Sequence, residues 1–152
     1  MPALEPLSVL GRDLRRLELS EIDLKECGGG FGATNAVAAD FDGDGRLDSA
    51  LLVTFDVSPE VTKWQGHTLR RSTIAVVIFF GSAATPRFEV LDHFDGFLPA
   101  GVVLELVPPA RYRIRDEVVS LDRPSLTVGY CGKSASVYTW RSGKFACIPV
   151  SD

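Results

Sequence analysis

The chain lacks an excess of basic residues, a long apolar segment and a histidine cluster. Its 16 lysines and arginines are outnumbered by 20 aspartates and glutamates, and the formal net charge is −4. This charge argues against nucleic acid as a partner. The longest apolar run, at 73–81, is far shorter than the roughly 20 residues that span a bilayer, so we expect no transmembrane segment. His67 and His93 have no histidine or cysteine nearby at ligand spacing, which disfavours a transition-metal site.

Cysteine is also scarce. The three cysteines, Cys27, Cys131 and Cys147, form no CxxC pair, so zinc-knuckle and thioredoxin-like sites are disfavoured. An odd count permits at most one disulfide and leaves one thiol free. The sequence leaves open whether two of them are bridged or all three are small buried thiols.

A length of 152 residues, of which 45% are hydrophobic, suits one globular domain. We expect a single domain over 1–152, with an N-terminal helical segment at 1–26, a glycine-rich loop at 27–35 and a β-rich body at 36–152. The helix is predicted from leucines spaced three and four residues apart: Leu7, Leu10, Leu14 and Leu17. The loop is predicted because three consecutive glycines lose too much entropy inside a helix or strand.

Most of the remaining chain has the composition of β-strands. Strands are predicted at 36–39, 49–57, 72–81, 87–94, 101–107, 125–130, 134–140 and 144–150. Residues 141–144 join the last two strands as a tight hairpin, in which Gly143 is free to take a positive φ. The predicted fold class is therefore α+β, a mostly antiparallel β-sheet with one short N-terminal helix.

The segment ADFDGDGRLDSALLV, residues 39–53, concentrates negative charge between two predicted strands. Oxygen atoms at alternate positions of a curled loop suit Ca²⁺, which takes roughly six to eight oxygen ligands at about 2.3–2.6 Å. Gly45 permits the sharp turn that such a loop needs. The candidate metal ligands are four carboxylates and one backbone carbonyl: Asp40, Asp42, Asp44, Asp48 and the carbonyl of Arg46.

This segment is not an EF-hand. The bidentate glutamate of an EF-hand would fall at Leu51, inside an apolar strand-like run, and the flanks are not amphipathic helices. The motif is instead a loop of nine residues, 40–48, between two strands. Mg²⁺ fits less well because it requires tighter octahedral geometry. The alternative without an ion is a polar Asp/Gly turn, in which carboxylates about 4 Å apart repel by ~1 kcal/mol even in water.

The longer segment GFGATNAVAADFDGDGRLDSALLV, residues 30–53, resembles the FG-GAP/VCBS type of repeat, including that of integrin α-chains. In such repeats the pattern D-x-[DN]-x-D-G-x-x-D joins two strands and holds Ca²⁺, which implies the same five ligands here. These repeats build β-propellers of at least about four blades, for which this chain is too short. It also resembles small bacterial secreted or lipoprotein domains with one such loop and a C-terminal YxW…GKF hairpin, here Tyr138, Trp140, Gly143, Lys144 and Phe145.

The expected function is a calcium-binding, extracytoplasmic structural or interaction module in which Ca²⁺ rigidifies the 40–48 loop. Modules that bind Ca²⁺ at millimolar levels are extracellular, so the periplasm, the cell surface or secretion is expected. No signal peptide is recognised in this chain. The partner would be a protein or a glycan.

Two alternatives stay open. One is a periplasmic inhibitor or immunity-type protein that acts on a hydrolase through 56–72, a polar segment with Trp64 that is expected to be a long loop. The other is a small enzyme, which would require a cleft with convergent titratable groups. No catalytic residue is identified.

Overall fold

The computed structural model describes residues 8–9, 12–23, 27, 35–81 and 87–151. Over these residues the chain forms short and long β-strands and one 3₁₀ turn at Leu19–Glu21. The strands are β1 Ser8–Val9, β2 Arg12–Asp13, β3 Arg15–Arg16, β4 Ala36–Ala39, β5 Asp48–Phe55, β6 Thr62–Trp64, β7 His67–Phe80, β8 Arg87–Leu98, β9 Val102–Val107, β10 Ala110–Ile114, β11 Glu117–Leu121, β12 Ser125–Tyr130, β13 Ser134–Arg141 and β14 Lys144–Ser151. All their pairings are antiparallel.

The predicted N-terminal helix is wrong. The chain is extended in β1, β2 and β3, and no α-helix occurs in the part of the chain that the structure describes. Leu14 and Leu17 are three residues apart and pack into different core clusters, as extended backbone requires. An α-helix would have placed them on one face. Leu7 and Leu10 lie outside the described residues, as do positions 28–34 of the glycine-rich loop.

One open sheet is built around the long strand β7. β5 and β6 pair with one edge of β7, and β8 pairs with the other. β3 and β4 both pair with the outer edge of β5. A second open sheet has the strand order β14-β13-β12-β9, and β10 and β11 form a separate hairpin. The prediction of a mostly antiparallel β-sheet is therefore confirmed.

The two sheets face each other across the main hydrophobic core. Hydroxyl and ring contacts also join them: the Tyr130 hydroxyl donates a hydrogen bond to the Asp92 carboxylate, and the Phe94 and Tyr130 rings lie edge to face. The buried residues of this core include Ala50, Leu52, Ile74, Val76, Ile78 and Phe80 from the first sheet and Val102, Leu104, Leu126, Val128 and Tyr138 from the second.

The opposite face of the first sheet is buried too, over a second cluster of Leu14, Leu51, Val53, Phe55, Ala75, Val77 and Phe79. β5 and β7 are therefore covered on both faces. This explains why ALLVTF and TIAVVIFF are continuous apolar runs rather than alternating ones.

The C-terminal hairpin closes one edge of the core with aromatic side chains. Trp140 and Phe145 are cross-strand partners with ring centroids 5.0 Å apart, and Phe80 of β7 lies 5.7 Å from Trp140. The turn has positive φ at both Ser142 and Gly143. The predicted hairpin at 141–144 is confirmed.

Most predicted strands are confirmed, with shifts at their ends, but two regions differ. Residues 56–72, expected to be a loop, contain β6 and the first part of β7. The β10–β11 hairpin was not predicted. Its turn residues, Arg115 and Asp116, both have positive φ without being glycine, so the usual sequence signal for a hairpin is missing.

Cys27 and Cys131 form a disulfide, with Cα atoms 4.7 Å apart, and Cys147 is a free, exposed thiol. The structure thus decides the pairing that the sequence left open. No helix among the described residues has the length and hydrophobicity to cross a membrane.

Candidate metal centre

The aspartate-rich loop lies between two adjacent strands. Ala39 at the end of β4 and Asp48 at the start of β5 are cross-strand partners. This pairing fixes the two ends of the loop about 5 Å apart. The predicted arrangement of strand, loop and strand is therefore present in the fold.

The loop brings three of the four predicted carboxylates together. One carboxylate oxygen each from Asp40, Asp42 and Asp48 lies within 4.8 Å of the other two. Two oxygens bound to one Ca²⁺ are at most ~5 Å apart, since each is within about 2.6 Å of the ion. These three groups therefore fit a single cation of this size.

Asp48 is the rigid member of the three. It is completely buried, and each of its oxygens accepts a backbone hydrogen bond of 2.9 Å, one from Phe41 and one from Gly81. Each carboxylate oxygen has a second lone pair available for a cation. Phe41 is itself fully buried, and its ring meets the ring of Phe145 edge to face at 6.5 Å, so the loop is anchored between the two sheets.

Asp40 organises the turn. Its carboxylate accepts hydrogen bonds from the amides of Gly43 at 2.9 Å, Asp44 at 3.1 Å and Gly45 at 2.9 Å. Burial raises the pKa of Asp40, but these amides and the side-chain hydrogen bond with Asp42 together outweigh it and hold the pKa below its ordinary value. Gly43 and Gly45 have φ of 74° and 86°, which only glycine adopts readily.

The pKa of Asp42 is shifted in the opposite direction to that of Asp40. Burial, followed by the negative charges of Asp48 and Asp44 and the interaction with Asp40, raises the pKa of Asp42 above its ordinary value, although the amide of Asp44 lowers it. The ionised carboxylate is therefore disfavoured among its neighbours. A cation at the centre of the three carboxylates would remove this repulsion.

Asp44 and Arg46, the other two predicted ligands, are placed differently. Asp44 is not in the carboxylate cluster, and its Oδ1 accepts a hydrogen bond of 2.8 Å from the amide of Arg46. Both residues are exposed. Asp44 thus braces the turn, and the role of the Arg46 carbonyl stays a prediction.

Two residues distant in sequence complete the loop and were not predicted. Nη1 of Arg123 donates a hydrogen bond of 2.6 Å to the carbonyl of Asp42, and its guanidinium covers Gly43. A side chain at Gly81 would collide with the carbonyl of Leu47, so the backbone at the end of β7 is in close contact with the loop. Both contacts join residues more than thirty positions apart, so no local pattern reveals them.

Among the described residues, the three aspartates are the one group of histidine, cysteine or acidic side chains close enough to share a metal ion. His67 and His93 belong to no such group. The 56–72 segment carries the exposed side chain of Trp64 on a strand rather than a loop.

No protein-family model, no curated protein and no solved structure matches this chain. The resemblance of residues 30–53 to FG-GAP repeats therefore stays a prediction, and the functional argument depends on the geometry of the site.

Proposed function

We propose that this protein is a calcium-binding structural or interaction module, in which Ca²⁺ binds to the 40–48 loop and holds it rigid. The observation that carries the proposal is the convergence of the Asp40, Asp42 and Asp48 carboxylates within 4.8 Å of one another. The donor set contains only oxygen atoms, which hard cations prefer.

The choice of Ca²⁺ over Mg²⁺ follows from the arrangement of the donors. Asp48 is fixed on a strand, whereas Asp40 and Asp42 belong to a glycine-containing turn. Ca²⁺ accepts irregular geometry and a variable number of ligands, whereas Mg²⁺ requires a near-ideal octahedron at about 2.0–2.1 Å. Loop carbonyls and water would supply the remaining oxygens.

The structural effect of the ion would extend beyond the loop. Asp48 links the loop to Gly81 at the end of β7, and Phe41 links it to the core. Ca²⁺ would therefore hold the β4–β5 connection against the central strand. A ligand whose free concentration is about one hundred times its Kd stabilises the folded state by ~2.7 kcal/mol.

The disulfide supports the extracytoplasmic part of this proposal. Disulfides persist in the periplasm, at the cell surface and in secreted proteins, which are also the places where Ca²⁺ reaches millimolar levels. The Cys27–Cys131 bridge and the aspartate loop thus favour the same kind of compartment.

Thermal unfolding of the chelator-treated protein during titration with CaCl₂ tests the proposal, with MgCl₂ as the control ion. We expect the melting temperature to rise with CaCl₂ and to rise little with MgCl₂. The variant Asp42→Asn should lose most of the rise, and Asp116→Asn, which changes an exposed aspartate in the β10–β11 turn, should keep it. An unchanged melting temperature of the unmodified protein up to millimolar Ca²⁺ would refute calcium binding.

A further inference from the structure

The β6–β7 hairpin extends beyond the rest of its sheet. Residues 62–64 pair with 67–69 across a two-residue turn, Gln65–Gly66, in which both residues have positive φ. β8 pairs with β7 only from Arg70 onward, and β5 only from Thr73. Within the described part of the chain, the tip is therefore a two-stranded ribbon with no neighbouring strand on either side.

One face of this ribbon carries exposed apolar side chains. In the β6–β7 pairing, Trp64 lies opposite His67 and Thr62 lies opposite Leu69. Phe97 of β8 lies opposite Arg71 of β7. Because side chains alternate along a strand, all of these side chains are on the same face. Trp64 is 61% exposed and Phe97 44% exposed. Together with Thr62 and Leu69 they line a shallow hollow of about 390 Å³. Exposed apolar side chains grouped in this way mark an interaction site.

Cations surround these apolar side chains. Residues 61–72 contain Lys63, Arg70 and Arg71 and no acidic residue, although the chain as a whole has a net charge of −4, and the exposed Glu60 lies immediately before this segment. Alternation along the strands puts Lys63 and Arg70 on one face of the ribbon and Arg71 on the other. Among the residues that pair with β7, the acidic one nearest to the ribbon is Asp95 of β8. Asp95 lies on the same face as Phe97, opposite Thr73, and accepts a hydrogen bond from the Thr73 hydroxyl.

We propose that this hairpin docks on an anionic lipid surface, with Trp64 inserted at the boundary between headgroups and acyl chains. Tryptophan favours this boundary because its ring is apolar and its N–H is polar. Arg70 and Arg71 follow His67 by three and four residues, which places their Cα atoms ~10–13 Å behind it. The headgroup layer is only ~5–8 Å thick on each side of the hydrocarbon core, so with Trp64 at its inner boundary these residues lie just outside it, where long arginine side chains reach the phosphates.

The distribution of charge favours a membrane over a protein partner. A protein would contact mainly one face of the ribbon, whereas a lipid surface surrounds an inserted tip and contacts both faces. The cations lie on both faces, and each lysine or arginine near an anionic leaflet strengthens binding by roughly fivefold.

This proposal does not depend on calcium binding. The hairpin begins β7 and the aspartate loop contacts its end at Gly81, so the two lie at opposite ends of the strand. The 13 steps from His67 to Phe80 correspond to ~43 Å.

The test is co-sedimentation of the chelator-treated protein with vesicles of mixed phosphatidylglycerol and phosphatidylcholine, against vesicles of phosphatidylcholine alone. We expect binding to the anionic vesicles, weakened by salt, and a blue shift of tryptophan fluorescence that persists in Trp140→Phe. Trp64→Ala should weaken partitioning about tenfold. Arg70→Glu with Arg71→Glu should weaken it at least about 25-fold.

Matched variants elsewhere separate this effect from general changes in charge and hydrophobicity. Arg111→Glu with Arg113→Glu makes the same change of charge on the β10–β11 hairpin, and Val118→Ala removes another exposed apolar side chain. Both should bind like the unmodified protein. Absence of binding to anionic vesicles, or equal losses in the matched variants, would overturn the proposal. So would binding of the unmodified protein to an acidic protein but to neither kind of vesicle.

Discussion

The amide of Gly81 donates a hydrogen bond of 2.9 Å to Oδ1 of Asp48, which joins the end of β7 to the start of β5, its neighbour in the sheet. The carboxylate that receives it is completely buried and is also one of the three that converge in the loop. The position of this carboxylate therefore depends on how closely β7 approaches the loop.

Gly81→Ala should disturb both the fold and the site. The added methyl group would collide with the carbonyl of Leu47, and backbone shifts of this kind cost about 1–3 kcal/mol. We expect urea unfolding to show this loss and the Ca²⁺ concentration for half-maximal stabilisation to rise. Gly129→Ala is the control, because its methyl group would meet Val103 at an ordinary 3.4 Å. Equal behaviour of the two variants would contradict the argument.

Asp42→Asn and Asp44→Asn should affect calcium binding unequally. Asp42 is in the carboxylate cluster, whereas Asp44 braces the turn through the amide of Arg46. Isothermal titration with CaCl₂ should show a loss of about tenfold or more for Asp42→Asn and a smaller loss for Asp44→Asn, because asparagine can still accept that hydrogen bond. If the two losses are the same, Asp44 is a ligand, as the spacing in the sequence predicts.

Without metal, Asp42→Asn should make the protein more stable. The substitution removes a negative charge from beside two other carboxylates, and each such repulsion amounts to ~1 kcal/mol at a separation of 4 Å in water. We expect the melting temperature in chelator to rise, although the gain from added Ca²⁺ disappears. A lower melting temperature in chelator would show that the Asp42 carboxylate stabilises the metal-free loop.

The Arg15–Glu21 ion pair should make a pH-dependent contribution to stability. The two guanidinium nitrogens of Arg15 donate to Glu21 at 2.6 and 2.7 Å, and these bonds lower the pKa of Glu21 despite partial burial. A lowered folded-state pKa stabilises the fold above the ordinary glutamate pKa of about 4.3, and this contribution is lost as the pH falls through the lowered value.

Glu21→Gln should therefore cost about 0.5–1 kcal/mol at neutral pH, a small value because the Arg15 side chain is half exposed. The difference from the unmodified protein should shrink toward zero in acid. Urea unfolding at several pH values measures it, with Glu60→Gln at an exposed position as the control. A difference independent of pH would mean that the contribution comes from packing rather than charge.

Opening the Cys27–Cys131 disulfide should destabilise the fold strongly. The bridge joins residues 104 positions apart, and closing a loop of that length in the unfolded chain corresponds to about 4–5 kcal/mol. Guanidinium unfolding of Cys27→Ala with Cys131→Ala, in a Cys147→Ser background that prevents disulfide exchange, measures the loss. Cys147→Ser alone should be close to neutral because this thiol is exposed and free.

The strands that could be predicted are those in which burial determines composition. β5 and β7 are buried on both faces and are therefore rich in β-branched and aromatic residues. The N-terminal leucines led to a wrong prediction because their spacing is compatible with two structures. In a helix, residues three apart lie on one face, whereas in a strand they lie on opposite faces. Leu14 and Leu17 contact different faces of the sheet, and only the tertiary structure distinguishes the two cases.

The candidate site, too, could be predicted only in part from the sequence. Asp40, Asp42 and Asp48 converge as their spacing predicts, since the local hairpin brings them together. Arg123 and Gly81 reach the loop from other strands, and nothing in their local sequence indicates it. The exposed position of Asp44 follows from a competing hydrogen bond to the amide of Arg46, a local choice that spacing alone does not determine.

The disulfide also makes most of the molecule a closed covalent ring. Every peptide bond between Cys27 and Cys131 lies inside this ring, including the exposed turn at Gln65–Gly66. A single cut there by a protease would open the backbone without releasing a fragment, because the bridge still joins the two pieces. The exposed hairpin can thus be nicked once while the strands on either side stay attached to the same molecule.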